Sequence, residues 1–371
     1  MLHFTALKNP DFVIVGAGVI GLAAAWELAR AGASVEIIDR GLAGGESSWA
    51  GGGMLFPLSP WDYPEAVRAL TELGRTGYPD WIDELQAASG IDCEYRQTGL
   101  LALPPVDFQR AKLWCAARAL AADVVCGAAI APSLTKHAEA LWLPQAAQVR
   151  NPRLLRALAH ALRRRRVSIQ EDTEVVEILS KGDRTLGIRT SSGPILAGSV
   201  VVCAGAWSSE LLADHVAGAK VFPVRGQMLL YEIQRDVLPV MLQKGTRYLI
   251  PRTDGHILAG STEEMVGFEQ STTADAAAEL HAAAVAMLSL LRAHKPVLQW
   301  AGLRPGSPGN VPTIGRHPRI TNLYLNSGHF RYGLTMAPAA AKILANVIAG
   351  QPQPVDVAPY AWPAVSCSRV C

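Results

Sequence analysis

The sequence predicts a mixed α/β (α+β) fold, with a parallel βαβ unit near the N-terminus and an antiparallel sheet later in the chain. A strand, a glycine-rich turn, a helix and a second strand follow one another over residues 11–40. Strand-length segments separated by turn residues occupy residues 222–300. Because a chain of 371 residues is longer than one ordinary core supports, we expect two domains.

The βαβ unit reads DFVIVGAGVIGLAAAWELARAGASVEIIDR. Phe12–Val15 and Val35–Ile38 are apolar runs typical of buried parallel strands. Leu22–Arg30 repeats apolar residues at helical spacing, which predicts a helix between the two strands.

The turn before this helix has the glycine spacing of dinucleotide-binding units. Gly16 permits a sharp turn, Gly18 has no Cβ to block a pyrophosphate, and Gly21 lets the helix lie close to the sheet. Asp39 ends the second strand, where a carboxylate accepts hydrogen bonds from ribose hydroxyls. The unit therefore predicts a dinucleotide site, but it does not distinguish FAD from NAD.

Composition and charge exclude several other functions. The 34 Lys+Arg and 32 Asp+Glu residues give a net charge of +2, too small to indicate a nucleic-acid partner. No uninterrupted apolar run reaches the roughly 18 to 20 residues of a membrane span, and no signal peptide is recognisable. We expect a cytoplasmic protein without integral membrane contact. The six cysteines show no metal-binding spacing, so we expect reduced thiols and no structural metal.

A glycine- and serine-rich segment follows at residues 41–61, and its length favours a ligand-lining loop. Ser47 and Ser48 offer hydroxyls to a pyrophosphate, and Gly51–Gly53 let the backbone lie against a flat ring. Four helices are then predicted. Two lie within Tyr63–Gly90, each ending at a glycine, and the others are Phe108–Ala122 and Leu154–Arg163, the last capped by Asn151.

Two later strand ends are also rich in small residues. The strand Val200–Val202 runs into CAGAWS, followed by a helix capped at Ser208 or Ser209. The strand Leu323–Asn326 runs into SGHFRYGLTMAP, followed by a helix over Ala339–Ala349 with Pro338 in its first turn. These segments have no role in a simple nicotinamide site, whereas a glutathione-reductase-type FAD site uses such remote segments around the ribityl chain and the isoalloxazine.

The domain prediction interleaves the two units along the chain. Residues 10–90, 149–222 and 301–360 are expected to form the FAD-binding domain. Residues 91–148 and 223–300 are expected to form an antiparallel-sheet substrate domain, with an Asp254-Gly255 hairpin and an alanine-rich helix over Asp275–Ala293. Residues 361–371 lack periodicity, so we expect a disordered tail.

Seven motifs together resemble the glycine oxidase branch of the D-amino-acid oxidase family. They are, in family order, GAGVIGLAAAWELARAG, GESSWAGGGMLFPLSPW, CAGAWS, GQMLLYE, YLIPRTDGHILAGST, GLRPGSP and GHFRYGLTMAP. The resemblance implies a glutathione-reductase-type FAD-binding domain with an antiparallel-sheet substrate domain. Sarcosine oxidases, which are more distantly similar, attach flavin through a cysteine near GLRPGSP. Because Ser307 and Pro308 stand there, the resemblance implies non-covalent FAD.

The resemblance also assigns catalytic and substrate-binding residues. It implies that Arg304 clamps the substrate carboxylate, that Tyr248 reaches the same group and that Arg331 is a second cation nearby. His329 is the first candidate if a protein base is needed, although a histidine satisfied by backbone is the simpler interpretation. Met54 and Glu263 are expected to shape the substrate pocket. Two positions depart from the family pattern, since Thr246 replaces a histidine and Glu263 stands where a methionine is common.

The setting of Arg304 between Gly302 and Gly306 indicates a backbone that a ligand can approach. The cofactor contacts predicted from the motifs and the resemblance lie mostly on the glycine turn, the serine-rich loop and the two later strand ends, with Asp39, Arg40, Val175 and Arg304 outside these segments. They are Gly16, Gly18, Val19, Ile20, Gly21, Asp39, Arg40, Ser47, Ser48, Ala50, Gly51, Gly52, Gly53, Met54, Val175, Ala204, Gly205, Trp207, Arg304, His329, Phe330, Arg331, Tyr332, Gly333, Leu334 and Thr335.

The function implied is a flavoprotein oxidase that deaminates glycine, sarcosine or small D-amino acids. Hydride would pass from Cα to flavin N5, and O2 would accept the electrons to give hydrogen peroxide. The resemblance also implies a supply of product to thiamine thiazole synthesis. Three alternatives stay open: preference for an N-methylated or larger D-amino acid, a dehydrogenase that reduces a quinone, and a flavin-binding protein without turnover. The sequence also leaves open a homo-oligomer.

Overall fold

A six-stranded, mostly parallel sheet forms the first layer of this computed structural model, which describes residues 9–134, 139–213 and 220–363. Elements are numbered in chain order. Its strands, in spatial order, are β16 (Thr313–Arg316), β17 (Leu323–Ser327), β10 (Ser199–Val202), β1 (Phe12–Val15), β2 (Val35–Ile38) and β6 (Ser168–Gln170). Only β16 runs antiparallel to its neighbour. The strands predicted in the βαβ unit are therefore confirmed.

Both faces of this sheet are buried, because alternate side chains of its strands enter two different cores. On one face, Ile14, Ile37 and Val201 meet a layer of helices. These helices are α1 (Val19–Arg30), α3 (Glu65–Ser89), α6 (Asn151–Arg164) and α9 (Gly333–Ala349). On the other face, Val13 and Val200 meet a three-stranded sheet. Its strands are β7 (Val175–Lys181), β8 (Arg184–Thr190) and β9 (Gly193–Leu196).

A second sheet has eight strands and is antiparallel except between β12 and β3. In spatial order the strands are β15 (Leu298–Gly306), β11 (Phe222–Glu232), β14 (His256–Gly260), β13 (Arg247–Pro251), β12 (Met241–Lys244), β3 (Leu100–Leu103), β5 (Ala140–Leu143) and β4 (Asp123–Val125). The predicted hairpin at Asp254-Gly255 joins β13 to β14. The helix α8 (Ala274–Met287) covers one face with Leu280 and Met287.

The expectation of two helices within Tyr63–Gly90 is wrong. One helix, α3, runs through Gly77 and Pro79. Its buried positions continue on both sides of the proline, so packing on α9 and α6 outweighs the local break.

The predicted beginning of the last helix is also wrong. α9 begins at Gly333, so Pro338 lies inside the helix and not in its first turn. Pro338 has no N–H for the carbonyl of Leu334 four residues earlier, and the buried Tyr78 hydroxyl donates to that carbonyl at 3.1 Å. A neighbouring helix therefore satisfies the group that the proline leaves free.

Four smaller predictions need correction. Asn151 is the first residue of α6 and not its cap, because its side chain bonds elsewhere, as described below. The helix α4 (Phe108–Ala116) ends six residues early, and the alanine-rich helix ends at Met287, followed by a 3-10 segment at Ser289–Ala293. Trp207 precedes α7 (Ser208–Leu211) as its cap residue. Two short helices, α2 (Ser47–Ala50) and α5 (Gly127–Ile130), complete the set named here.

The predicted tail is ordered at its beginning. Trp362 is buried in the core beneath the parallel sheet, with its ring 4.8 Å from that of His317. The position of Trp362 after the last helix gave no sign of this burial, which the large apolar area of the indole favours. The rest of the predicted tail, residues 364–371, lies outside the described residues and includes Cys367 and Cys371. Of the described cysteines none forms a disulfide, and the described residues hold no cluster of metal-ligand type.

One segment, Phe330–Ala349, has the length and mean hydropathy of a membrane-spanning helix, and no other helix within the described ranges does. Half of this segment is buried, and α9 packs on α1 and α3. Its apolar character is therefore that of a core helix.

Candidate active site

Two cavities adjoin each other at the carboxyl ends of the parallel strands, where open α/β sheets bind ligands. The glycine-turn cavity lies beside Gly16, Gly18 and Asp39. The arginine cavity lies between the serine-rich loop, β15 and the beginning of α9, and contains Arg304 and Arg331. Four lining residues are shared, namely Ile20, Ser47, Ser48 and Pro305. The two cavities thus form one elongated site.

Gly16 and Gly18 line the glycine-turn cavity. Gly16 has φ +107°, and a Cβ on it would lie 2.4 Å from the carbonyl oxygen of Cys203. The Ser48 Oγ accepts a hydrogen bond from the Val19 N–H at 3.0 Å. Because Gly18 has no side chain to cap α1, this serine from α2 satisfies the first helix N–H.

The Asp39 carboxylate fixes the glycine turn as well as facing the cavity. It accepts hydrogen bonds from the N–H groups of Ala17 at 2.6 Å and Gly41 at 2.9 Å. Burial raises the pKa of this carboxyl, and the two backbone donors oppose that shift. Its remaining lone pairs are free to accept from a ribose.

The opposite wall of this cavity comes from CAGAWS and the β6–β7 region. Ala204, Gly205 and Trp207 line it with Val175, as predicted. The Arg40 guanidinium lies 3.6 Å from the centre of the Trp207 ring, a cation–π contact at the rim. Sequence reasoning missed several other lining residues of this cavity: Glu46, Thr173, Glu174, Val176, Glu210 and Leu211.

Arg304 projects from β15 into the arginine cavity. Its guanidinium donates to the Thr262 carbonyl at 3.1 Å and to the Ser261 Oγ at 2.7 Å, and it also hydrogen-bonds to Tyr248. Among the described residues it makes no ion pair. Burial lowers the pKa of the guanidinium, which nevertheless remains charged at any physiological pH. A buried cation without a counter-ion is the property expected of an anion site.

The glycines near Arg304 act differently from the prediction. A Cβ on Gly302 would lie 2.5 Å from the Ala50 Cβ, and one on Gly306 would lie 2.5 Å from the Phe222 ring. They admit α2 and an aromatic ring, not a ligand. The glycine that makes room for the guanidinium is Gly226 on β11, where a Cβ would lie 2.2 Å from an Arg304 Nη atom.

His329 is buried and lines the arginine cavity. Neither ring nitrogen has a hydrogen-bond partner among the residues that the structure describes, so the interpretation of a histidine satisfied by backbone is wrong. Burial lowers the pKa of the imidazole to about 3, and the ring is therefore neutral at physiological pH. Two orphaned polar atoms at a cavity wall indicate that a ligand atom completes them.

Arg331 differs from Arg304 in having a carboxylate partner. Its guanidinium forms an ion pair with Glu263, which is 41% exposed. Arg331 lines the cavity, whereas Glu263 reaches the site only through this pair. The opposite charge leaves Arg331 largely neutralised.

Two residues behind the glycine-rich loop were missed. The Asn151 amide donates to the carbonyls of Ser48 and Gly51, each at 2.9 Å. The buried Arg252 guanidinium donates to the Gly52 carbonyl at 2.7 Å. Both lie far from the loop in sequence, so no local pattern could have indicated them.

Of the predicted site residues, most line one of the two cavities. Three do not: Gly21, Ala50 and Glu263. A Cβ on Gly21 would lie 1.9 Å from the Gly16 carbonyl oxygen, so this glycine serves helix packing, and Ala50 packs on Gly302. Additional lining comes from Phe56, Leu58, Asn151, Ser261 and Pro305.

The elongated site fits a dinucleotide with a planar, polar-edged head group. The glycine turn and the N-terminus of α1 suit a pyrophosphate. His329, with its orphaned nitrogens, and Gly51–Gly53 line the same cavity, and they suit the polar edge and the face of a flat ring system. Comparison with known proteins agrees, since the family described as DAO, FAD dependent oxidoreductase, matches residues 11–347. The chain belongs to this family. It is an FAD-dependent enzyme, and its cofactor is FAD.

Similar proteins cover nearly the whole chain. A protein named glycine oxidase from Pseudomonas aeruginosa is 43% identical over 94% of this chain and 97% of its own length. The crystal structure of glycine oxidase from Geobacillus kaustophilus superposes with a TM-score of 0.90 at 26% identity, covering 96% of this chain and 99% of that one. The bifunctional protein ThiO/ThiG from Trichormus variabilis is 30% identical over 92% of this chain, which spans 53% of that protein.

Proposed function

We propose that this chain is a flavoprotein oxidase that deaminates glycine, sarcosine and small D-amino acids. The observation that carries the proposal is Arg304, a buried guanidinium without an ionic partner among the described residues that faces the arginine cavity. The P. aeruginosa relative named glycine oxidase supports the same substrate class.

A planar guanidinium holds a carboxylate through two parallel hydrogen bonds, which fixes orientation as well as position. Ser261 and Thr262 hold Arg304 in place, and Tyr248 adds a hydroxyl beside it. Met54, Phe56 and Leu58 supply apolar walls. These features favour a small substrate that carries one carboxylate.

Bound FAD supplies the two-electron acceptor for the substrate Cα–H and passes the electrons to O2. Glycine, O2 and water then give glyoxylate, ammonia and hydrogen peroxide. The chain contributes orientation, since a fixed carboxylate directs the Cα–H toward the ring site at Gly51–Gly53.

The described lining of the arginine cavity contains no carboxylate side chain, and His329 is its only histidine. His329 has a pKa of about 3 and is a weak base in this setting. We therefore propose that the amine loses its proton to solvent before oxidation, without a dedicated protein base.

Three further proposals concern the domain organisation, the cellular location and the pathway of this protein. We propose that residues 10–90, 149–222 and 301–360 form a domain that binds FAD non-covalently and that residues 91–148 and 223–300 form the substrate-binding domain. A cytoplasmic location is supported by the core position of α9. A role in thiamine thiazole synthesis is supported by the relative named ThiO/ThiG.

The test is peroxide release by purified holoenzyme with glycine, sarcosine, D-alanine and D-proline, compared by kcat/KM. Turnover with peroxide formed in proportion to substrate consumed is expected for at least one of them. Anaerobic bleaching without peroxide under O2 would instead identify a dehydrogenase. Absence of bleaching with all four amines would reject the substrate class proposed here.

A further inference from the structure

We propose that Glu263 sets the charge class of the substrate by neutralising Arg331, so that the site accepts amines with one carboxylate and rejects amines with two. The inference rests on the proposed amine substrate and adds a specificity determinant to it. It follows from the unequal partners of two arginines that line the same cavity.

Among the described residues, the hydrogen-bond partners of Arg304 are neutral groups, namely the Ser261 hydroxyl, the Thr262 carbonyl and Tyr248. Its positive charge is available to a ligand. Arg331 is 18% exposed and already bound to the Glu263 carboxylate. A second substrate carboxylate could reach Arg331 only by displacing Glu263 or by approaching a like charge, and either costs binding free energy.

The neighbouring acid cannot replace Glu263. Glu264 accepts hydrogen bonds from the Gln227 side chain at 2.9 Å and from the Arg225 Nε at 3.1 Å, and it lines neither cavity. Glu263 alone of this pair turns toward Arg331. A single substitution at position 263 therefore changes the charge of the site without breaking the ion pair between Arg225 and Glu264.

The charges around the cavity support the same conclusion. Among the side chains that line the cavity or pair with one that does, Arg304 and Arg331 contribute two positive charges, Glu263 contributes one negative charge, and His329 is neutral. Beyond the lining, the opposite charges of Glu264 and Arg247 also act on Arg304 and offset each other. The sum is one positive charge, which one carboxylate balances. Removing the charge of Glu263 leaves two, which suit a dicarboxylate.

The experiment measures binding of two unreactive ethers to the FAD-loaded enzyme by isothermal titration calorimetry. Methoxyacetate imitates an N-methyl amino acid, and diglycolate adds a second carboxylate on the same ether. Wild-type enzyme should bind methoxyacetate more tightly than diglycolate. In Glu263→Gln the ratio of Kd for methoxyacetate to Kd for diglycolate should rise by about tenfold, because Arg331 becomes free.

The matched control is Glu84→Gln. Glu84 is 44% exposed, is paired with Arg30 at 2.9 Å and lines neither cavity. This variant should keep the wild-type ratio within about twofold, since it removes an equal charge elsewhere. In Glu263→Gln/Arg331→Gln the gain for diglycolate should disappear.

The outcomes separate this inference from the proposed function. An unchanged ratio in Glu263→Gln, or tighter binding of diglycolate by the wild type, would overturn the inference. The comparison of the two Kd values in the wild type can overturn the inference even if the variant does not fold. Failure of the wild type to bind methoxyacetate or to oxidise any amine would instead overturn the proposed function.

Discussion

At the scale of single residues, the charge that a side chain of this site can offer to a ligand depends on its surroundings. Arg304 and Arg331 lie in one cavity with the same side chain, yet one has neutral partners and the other has a carboxylate. His329 has no hydrogen-bond partner and is neutral because burial disfavours its charged form. Residue type alone would not separate these three environments.

Arg304→Ala should raise the apparent KM for glycine or sarcosine by orders of magnitude. Loss of one partner of a desolvated charge pair costs about 2 to 5 kcal/mol of binding free energy. Steady-state kinetics on FAD-loaded enzyme measures the effect, with the exposed Arg316→Ala as control. A change in KM below about threefold would remove Arg304 from the proposed role.

His329→Asn should make the apoprotein less sensitive to acid. The folded-state pKa of about 3 lies below the unfolded value of about 6.5, so the unfolded chain binds the proton more readily. The free energy of unfolding therefore falls as the pH decreases from about 6.5 to about 3, by up to about 1.4 kcal/mol per pH unit for this group.

Urea unfolding at pH 7 and at pH 4.5 tests this prediction, with the exposed His160→Asn as control. The wild type and the control should lose more stability between the two pH values than His329→Asn does. Equal losses in all three would show that His329 is not buried as a neutral ring.

At the scale of elements, the beginning of α9 depends on α3. A Cβ on Gly74 would lie 2.0 Å from the Thr335 carbonyl oxygen, so the two helices approach closely there. Tyr78, one turn further along, donates to the Leu334 carbonyl that Pro338 leaves without an amide donor. Leu334 and Thr335 line the arginine cavity. Contacts between α3 and α9 therefore reach the cofactor site.

Tyr78→Phe should destabilise the protein by about 1 to 3 kcal/mol, because the buried Leu334 carbonyl loses its donor. Pro338→Ala restores an N–H at the position four residues later. The loss in free energy of unfolding caused by Tyr78→Phe should therefore be smaller in the Pro338→Ala background than in the wild type. Denaturant unfolding of the four proteins in this cycle measures the coupling, and additive effects would contradict the proposed compensation.

At the scale of the molecule, the site exists only where remote segments meet. The serine-rich loop, β13, β15 and the beginning of α9 all line the arginine cavity. Asn151 and Arg252 hold the loop from elements a hundred or more residues away. The site is therefore a property of how the two sheets and the helical layer are assembled.

Activity should increase with pH along the titration of the substrate amine. No carboxylate lines the described arginine cavity, and His329 with its pKa of about 3 stays neutral above acidic pH. The midpoint of the kcat/KM profile should therefore move with the substrate, to lower pH for 3-fluoro-D-alanine than for D-alanine, since its amine is more acidic. One midpoint shared by both substrates would indicate a protein base.

Sequence by itself determined the local units. The βαβ unit and the hairpin at Asp254-Gly255 follow from patterns within a few tens of residues, whereas the assignment of Arg304 came from the resemblance. Such features are visible because turns, strand periodicity and glycine spacing are short-range properties. The resemblance of the motifs to a family supplied the order in which distant segments belong together.

Only the tertiary structure decided the partners. It showed that α3 continues through Pro79, that Gly226 and not Gly302 makes room for Arg304, and that Arg331 is neutralised by Glu263. Each depends on atoms from segments that lie apart in the chain. A carboxylate or a carbonyl brought within hydrogen-bond distance changes what a residue can bind, and sequence spacing does not record that distance.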